Sequence, residues 1–281
     1  MRFKHLTVVL LTGVILFAAG CGKQSGGGEN PLYSDASTPS SEIDAKFLLE
    51  WLLVLVSFVS SVRLSPPDAW RMYAYIAVGM YEAQIAGSPD YLTLEGQLAD
   101  LKGLPRPEKG QVYDWQTCVT ETMYLVQDGM LARYFPAGVS TLNKLYDKQM
   151  EERKAAGVTD EVLERSKAYG EELADVILEW SEADKYVETR YMQYKSPTRE
   201  GHPSNWEPTD FNQTPLEPFW GTHRTFFVKD GTQCDIDKAP AYGGKGDTTG
   251  ELYKQAKKVW TVDKTLTEEQ RTIAQYWADD P

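Results

Sequence analysis

The chain has 281 residues, of which 42% are hydrophobic and 25% charged, and this composition excludes a wholly disordered or fibrous protein. Lys and Arg number 29 against 41 Asp and Glu, which gives a net charge of −12 at neutral pH. So acidic a chain lacks the basic surface that nucleic-acid binding needs, and nucleic acid is excluded as a partner. Aromatic residues make up 12% of the chain and supply enough apolar surface for a deep core. Imidazole chemistry is limited to His5, His202 and His223.

The N-terminal residues have the pattern of a secretory signal peptide, predicted over 1–20. Arg2 and Lys4 precede the uncharged stretch Leu6–Ala19, which is too short to span a bilayer comfortably. Small residues end this stretch directly before Cys21, and this arrangement resembles the lipobox of bacterial lipoproteins. The pattern predicts cleavage before Cys21 and lipidation of that residue. The alternative is a plain signal peptide followed by an incidental cysteine.

The next segment, 21–41, is rich in Gly, Ser, Thr and Pro and is predicted to be a flexible tether between the lipid and a folded domain. Removal of 1–20 takes away two basic side chains and leaves 27 basic against 41 acidic ones, a net charge of −14. Anionic lipid would repel such a chain, so the acyl chains must attach it to the bacterial membrane. The expected location is the cell envelope, on the periplasmic face or in the outer membrane.

The remaining chain, 42–281, is predicted to be an all-α helical domain, since no strand-like alternation is long enough to build a sheet. The apolar run Phe47–Val62 is expected to be a buried core helix rather than a membrane span, because it is short and contains a carboxylate. Apolar stripes at helical spacing predict four more helices. The residues expected to face the core in these helices are Trp70, Tyr73, Ala74, Ala77, Tyr81 and Ile85; Val112, Trp115, Val119, Met123, Val126 and Met130; Val139, Leu142, Leu145, Tyr146 and Met150; and Val162, Ser166, Tyr169, Leu173, Val176 and Trp180.

Helical periodicity is lost over 185–248, where Pro, Gly and aromatic residues predominate. So long an irregular segment inside a domain is usually functional, and its aromatic residues are expected to pack on the helices. A short helix through Trp260 is predicted to follow, and then a last helix that begins at a capping box in Thr265–Glu268. The residues expected on the inner face of the last helix are Ile273, Ala274 and Trp277.

Two patterns in the irregular segment resemble catalytic or phosphate sites without completing them. Gly243–Gly250 has the glycines of a phosphate loop, but Gly follows its lysine and no strand precedes it, so a flexible surface loop is predicted. His202 with Ser204, or with His223, would need an orienting group and an oxyanion hole for nucleophilic catalysis. Neither is identifiable, and both histidines are expected to be loop residues bonded to backbone or water.

Metal sites and disulfides are equally incomplete. Asp235 and Asp237 lack the other ligands of a calcium loop, and the spacing of His and Cys offers no zinc site. Cys118 is expected to be a small core residue, and a bridge from it to Cys234 is left open. The residue patterns therefore assign no catalytic, cofactor-binding or metal residue, and Cys21 is the single predicted site.

Several segments, in their order along the chain, resemble bacterial vanadium-dependent haloperoxidase-like proteins of the type 2 phosphatidic acid phosphatase superfamily. These segments are Ser65–Ala83, Gly170–Trp180, Asn205–Thr209, Leu216–Gly221 with Arg224, and Glu269–Pro281. The resemblance extends over about 43–281. It implies an all-α bundle that holds vanadate or, in the phosphatases, a phosphoryl group, with cationic donors and histidines around the oxyanion.

The oxyanion-binding motifs of that family are absent from this chain. There are three such motifs: a Lys followed by Arg-Pro, then Pro-Ser-Gly-His, and then Ser-Arg with a later His. Gly201–Ser204 has residues similar to those of the second motif, but in a scrambled order. The resemblance is therefore to an N-terminal half, and no catalytic residue is carried over. No cofactor is expected in this chain, although vanadate is expected in the full-length family. The sequence leaves open whether the parent activity is that of a peroxidase or of a phosphatase. It also leaves open whether the chain is a fragment or a natural short form.

Two functions follow from these observations. In the first, the chain is the N-terminal helical part of an exported haloperoxidase-like or phosphatase-type protein, inactive alone, and a missing catalytic half is its partner. Loss of that half is expected to leave apolar surface exposed. In the alternative, the chain is a non-enzymatic, surface-tethered helical lipoprotein that binds glycans.

Overall fold

The computed structural model shows a protein built from helices and turns. It describes residues 30, 32–62, 64–132, 136–197, 205–206, 208, 214–234, 236–244 and 246–278. The α-helices are α1 (Lys46–Val62), α2 (Pro66–Ile85), α3 (Trp115–Leu131), α4 (Val139–Ala155), α5 (Asp160–Glu182), α6 (Tyr186–Thr189), α7 (Glu251–Thr265) and α8 (Glu268–Tyr276). Short 3-10 turns lie at Ser40–Glu42, Pro136–Gly138, Trp220–Thr222 and Gly231–Cys234. No strand occurs in these ranges, so the all-α prediction is confirmed.

Polar side chains fix where the helices begin. In α2, α3 and α5 an oxygen of the capping residue accepts a backbone N–H of the first turn, at Ser65, Asp114 and Thr159 respectively. The capping box of α8 joins Thr267 and Gln270. The box predicted at Thr265–Glu268 is therefore wrong, because α7 continues through Thr265 rather than ending near Trp260.

Helix α3 is the centre of the bundle and packs against α5, α2 and α4. Its predicted stripe is buried from Trp115 to Met130, whereas Val112 lies before the helix and is exposed. The predicted stripe of α5 is also largely confirmed, since Ser166, Tyr169, Leu173 and Trp180 are buried. These two helices meet at Gly170, whose lack of a side chain permits the contact with the backbone of α3.

The predicted core face of α2 is largely wrong. Ile85 is buried as predicted, but Trp70 is 68% exposed. The other buried apolar residues of the helix are Ala69, Met72, Tyr75, Ile76, Val78, Gly79 and Ala83. Apolar residues surround this helix on most sides, so spacing alone does not identify the buried one. The polar contacts of Asp68, Tyr75 and Glu82 with the rest of the protein select the face that is buried.

Both ends of the helical domain present apolar residues to solvent. Helix α1 buries Trp51, Leu55, Phe58 and Val59, but its other side exposes Leu49, Leu53 and Val56, so it is a core helix on one face only. The predicted inner face of α8 is wrong, because Ile273 and Trp277 are exposed. Within the described ranges, no helix has the length and apolar character needed to cross a bilayer.

The N-terminal segment differs from the predicted tether over the residues that the structure describes. The Asn30 amide donates to the carbonyls of Ile85 and Ser88, at 2.8 Å each, and Leu32 is buried. Ser37 Oγ accepts the backbone N–H of Tyr113 at 2.8 Å. Asn30 and the described residues that follow it therefore pack on the bundle, because their polar and apolar groups match specific partners that composition does not reveal. Cys21 lies outside the described residues.

Candidate functional site

The most elaborate polar cluster lies where the end of α5 meets α2. Asp184, whose side chain is 4% exposed, accepts Arg71 Nε at 2.7 Å and the Tyr75 hydroxyl at 2.9 Å. It also accepts the backbone N–H of Tyr186 at 2.9 Å, while Arg71 Nη2 donates to the Ser181 carbonyl at 2.6 Å. The carboxylate is thus fully used by partners inside the protein. Burial, and then the Asp184 charge, raise the pKa of the Tyr75 phenol.

The irregular segment enters this cluster through Arg224. Its Nη2 donates to the Tyr75 hydroxyl at 2.6 Å and to the Trp180 carbonyl at 2.8 Å. The guanidinium carbon lies 4.5 Å from the centre of the Trp180 ring. Phe226 packs against Tyr75 and Trp180, with ring centres 5.1 Å from each. These contacts attach the aromatic segment to the helices, as its composition predicted.

A second buried carboxylate, Asp68, stands in the first turn of α2. It accepts the Tyr186 hydroxyl at 2.6 Å and Arg190 Nη1 at 3.3 Å. Arg71 covers the Tyr186 ring at 4.4 Å and so joins the two halves of the cluster. Burial, and then the nearby charge of Asp68, raise the pKa of Glu217. Glu217 has a φ of +40°, a backbone conformation unusual for this residue type.

His223 lies at the edge of this cluster. Its Nε2 is 2.7 Å from the Thr189 hydroxyl, and its ring contacts Trp220 and Tyr186 edge-on. The expectation of a bond to backbone or water is therefore wrong, because Nε2 binds a side chain, while Nδ1 has no partner in the described part of the chain. Burial lowers the pKa of His223, so the ring is neutral at pH 7. His202 and Ser204 lie outside the described residues.

The cluster does not fit vanadate or phosphate. Its cations, Arg71, Arg190 and Arg224, all donate to carboxylates, a phenol or carbonyls of the protein itself. A tetrahedral oxyanion needs converging donors that have no such partners, and the carboxylates of Asp68 and Asp184 would repel it. Arg106, which Pro107 follows as in the Arg-Pro motif of the family, lies outside the cluster. Its side chain is 60% exposed and pairs with Glu95 at 3.7 Å. The cluster therefore holds the irregular segment against α2 and the end of α5. We call it the arginine clasp, and its members are Arg71, Arg190, Arg224, Asp68, Asp184, Tyr75 and Tyr186.

Beside the arginine clasp, the irregular segment forms a groove of about 480 Å³. Its walls include Arg190, Tyr194 and Glu217. Tyr194 packs edge-on against Phe219, which fixes one wall of the groove. The groove holds no cluster of three metal-binding side chains, and none occurs elsewhere in the described ranges.

In the glycine-rich loop Gly243–Gly250, a carboxylate of the loop itself accepts backbone N–H groups that a phosphate would need. Asp247 Oδ1 accepts the backbone N–H groups of Thr249 and Gly250 at 2.9 and 2.8 Å, just before α7 begins. A phosphate loop needs those N–H groups for its ligand, and a carboxylate in their place repels an anion. The structure thus gives a physical reason for the predicted absence of a phosphate site.

The cysteine predictions have different outcomes. Cys118 is a buried core residue, as predicted, and burial raises the pKa of its thiol. Cys118 and the exposed Cys234 are both free, so no bridge joins them. Asp235, proposed and rejected as a calcium ligand, lies outside the described residues.

The arginine clasp itself was not predicted from the residue patterns. Arg71 and Arg224 belong to segments that resemble the haloperoxidase-like family, but nothing in their spacing joins them. Asp184 lies 113 residues from Arg71 in the chain and follows no motif. One local signal does point to a buried partner. Asp184 is an acidic residue directly after a long amphipathic helix, where a basic residue would be favoured.

No protein-family model matches this chain, and no curated protein matches its sequence. Among solved structures, the crystal structure of the first bacterial vanadium-dependent iodoperoxidase is similar to it, with a TM-score of 0.71 and 25% sequence identity. The match covers 84% of this chain and 56% of the iodoperoxidase chain. The protein therefore has a haloperoxidase-like all-α fold and spans little more than half the length of the iodoperoxidase that it matches.

Proposed function

We propose that this chain is the N-terminal helical half of an exported protein of the haloperoxidase or phosphatidic acid phosphatase type, and that it has no such activity alone. The likeness to the iodoperoxidase over 84% of this chain is the observation that carries the proposal. Its coverage of only 56% of that enzyme supports an oxyanion-binding half outside this sequence. The internal pairing of the arginine clasp supports inactivity, because its cations are already neutralised or bonded.

The exposed apolar helices favour this proposal over a self-contained glycan-binding lipoprotein. Helices α7 and α8 have no buried residue, and their exposed side chains include Trp260 and Trp277. A complete binding domain would bury such amphipathic helices against its own core. A half of a larger bundle leaves them for the other half to cover.

Orthovanadate is expected not to bind to residues 22–281. The measurement is calorimetric titration, with the matched iodoperoxidase as the positive control, together with an assay of bromide and iodide oxidation by peroxide. The reason is that the cations of the arginine clasp are bonded within the protein, added to a net charge of −14 on the mature chain. Binding with a dissociation constant below about 10 µM, abolished by His202→Ala or His223→Ala, would contradict the proposal.

The same proposal places the protein in the cell envelope, attached through lipid on Cys21. The support is the sequence of small residues before this cysteine. Mass spectrometry of the mature N-terminus is expected to find a diacyl or triacyl adduct, and Cys21→Ser is expected to move the protein to the soluble fraction. Cys234→Ser, at an exposed thiol, is the matched control and should stay with the membrane. An unmodified N-terminus at another residue would refute lipidation.

A further inference from the structure

The apolar sides of α7 and α8, which we call the terminal helices, have no cover in the described part of the chain. None of their residues is buried. Their exposed large apolar side chains are Val259, Trp260, Val262, Ile273, Tyr276 and Trp277. Three of these are aromatic, and Trp277 is 78% exposed. Large apolar side chains that are exposed together on two short helices are typical of an interaction surface.

The terminal helices also need a packing partner in order to be stable. They have 15 and 9 residues, and isolated helices of about this length are marginal in water. Leu252, Ala256 and Val259 recur at helical spacing in α7, while Lys254, Lys257 and Lys258 occupy its other sides. This pattern is that of a helix that buries one face against protein and exposes the other.

Helix α1 has a similar uncovered face in another part of the fold. Leu49, Leu53 and Val56 are exposed along one side. Beside them lies a predominantly apolar groove of about 420 Å³, lined by Leu53, Val54, Ser57, Phe58, Ser61, Gly138 and Thr141. Helix surfaces pack by setting the side chains of one helix into the groove of another. Uncovered faces on helices from both ends of the chain suit an extended helical partner rather than a small ligand.

We propose that the apolar face of the terminal helices is an interface for a second helical polypeptide, equivalent to the part of the iodoperoxidase chain that has no match here. The inference rests on the proposed function. The length of that unmatched part, 44% of the iodoperoxidase chain, provides a partner of sufficient size. The partner must present an apolar helical surface that receives Trp260 and Trp277.

The test joins the unmatched part of the iodoperoxidase to the full chain through a flexible linker after Pro281. The linker gives a high effective concentration, so that a weak contact between divergent halves is still formed. Hydrogen exchange is measured over 251–277 by mass spectrometry. We expect these amides to exchange about tenfold more slowly in the joined protein than in the unjoined chain.

Two paired variants locate the interface. Val259→Ser with Trp260→Ser changes the apolar face of α7 and is expected to remove the protection. Lys257→Ala with Thr261→Ala changes the opposite face and is expected to retain it, because these side chains are exposed and Ala favours a helix. Circular dichroism of each joined variant checks that the added part is folded. Loss of protection in both pairs would contradict the assignment of the face.

Other outcomes overturn the interface. Slow exchange of 251–277 in the dilute unjoined chain would mean that the face is already covered. Slow exchange that grows with protein concentration would assign it to a second copy, and protection by anionic lipid vesicles alone would assign it to a membrane. Equally fast exchange in the joined and unjoined proteins would exclude this partner. Vanadate titration of the joined protein tests the proposed function separately, because protection without vanadate binding leaves the interface standing.

Discussion

Replacement of Gly170 by Ala is expected to lower the free energy of unfolding by about 3 kcal/mol, at the upper end of overpacking effects. The added Cβ would lie 2.7 Å from the backbone carbonyl oxygen of Cys118 and 2.8 Å from Glu121 Cβ. A backbone carbonyl in the first turn of α3 is held by the helix and cannot rotate away as a side chain can. The two helices must therefore separate, and the bond from the Thr122 hydroxyl to the Gly170 carbonyl, now 3.0 Å, would lengthen.

Gly79→Ala is the matched control for that prediction. Its added Cβ would make ordinary contacts, 3.5 Å from Thr122 Cγ2 and 3.8 Å from Ile177 Cγ1. This glycine is also inside a helix, so Ala is expected to stabilise the protein by roughly 0.5–1 kcal/mol. Urea unfolding followed by far-ultraviolet circular dichroism measures both variants. A Gly170→Ala variant at least as stable as the wild type would show that α3 and α5 are not as close as the structure places them.

Replacement of Arg71 by Met is expected to cost about 3–5 kcal/mol of stability, the effect of breaking a buried ion pair on one side. Asp184 would lose its ion-pair partner at a site where its side chain is 4% exposed. Its remaining partners, the Tyr75 hydroxyl and a backbone N–H, do not compensate a full charge. Met fills much of the volume of the Arg stem, so the loss reports the charge rather than a cavity.

The control for this prediction is Arg106→Met, at an Arg whose side chain is 60% exposed and pairs with Glu95 at 3.7 Å. Such surface pairs contribute about 0–1 kcal/mol, so little change is expected. Should Arg71→Met fail to fold, the double variant with Asp184→Asn removes both charges and is expected to recover part of the loss. A single variant as stable as the wild type would mean that the arginine clasp contributes little to the fold.

The parts of the fold that the sequence predicted are those set by local pattern. Helices α3 and α5 have long stripes of one period, and Trp115, Met123 and Leu173 are buried as expected. The prediction of the buried face of α2 failed because the stripe that contains Trp70 and the stripe that contains Tyr75 are almost equally apolar. The choice between them is made by polar groups such as Asp68, whose partners come from distant parts of the chain.

The arginine clasp could not be predicted, because it depends on contacts between residues far apart in the chain. Arg224 is 149 residues from Tyr75, and no helical or strand period relates them. The packed segment after Asn30 escaped prediction for the same reason, since its composition is that of a linker while its hydrogen bonds are specific. Exposed apolar surface was expected, but not on the last helix, where Ile273 and Trp277 were predicted to face inward and are exposed. An amphipathic pattern indicates that a face is buried without stating against what.

If Cys21 is lipidated, the packed N-terminal segment would limit how far the domain can move from the membrane. Asn30 is bonded to the carbonyls of Ile85 and Ser88, at the C-terminal end of α2. If Cys21 has the acyl chains proposed above, only the nine peptide units from Cys21 to Asn30 separate the anchor from this fixed point. Nine units reach at most about 30 Å when fully extended, which is close to the thickness of one hydrocarbon core. The domain would then stay close to the membrane, with the C-terminal end of α2 turned towards the lipid headgroups. Any partner would have to approach from the remaining sides.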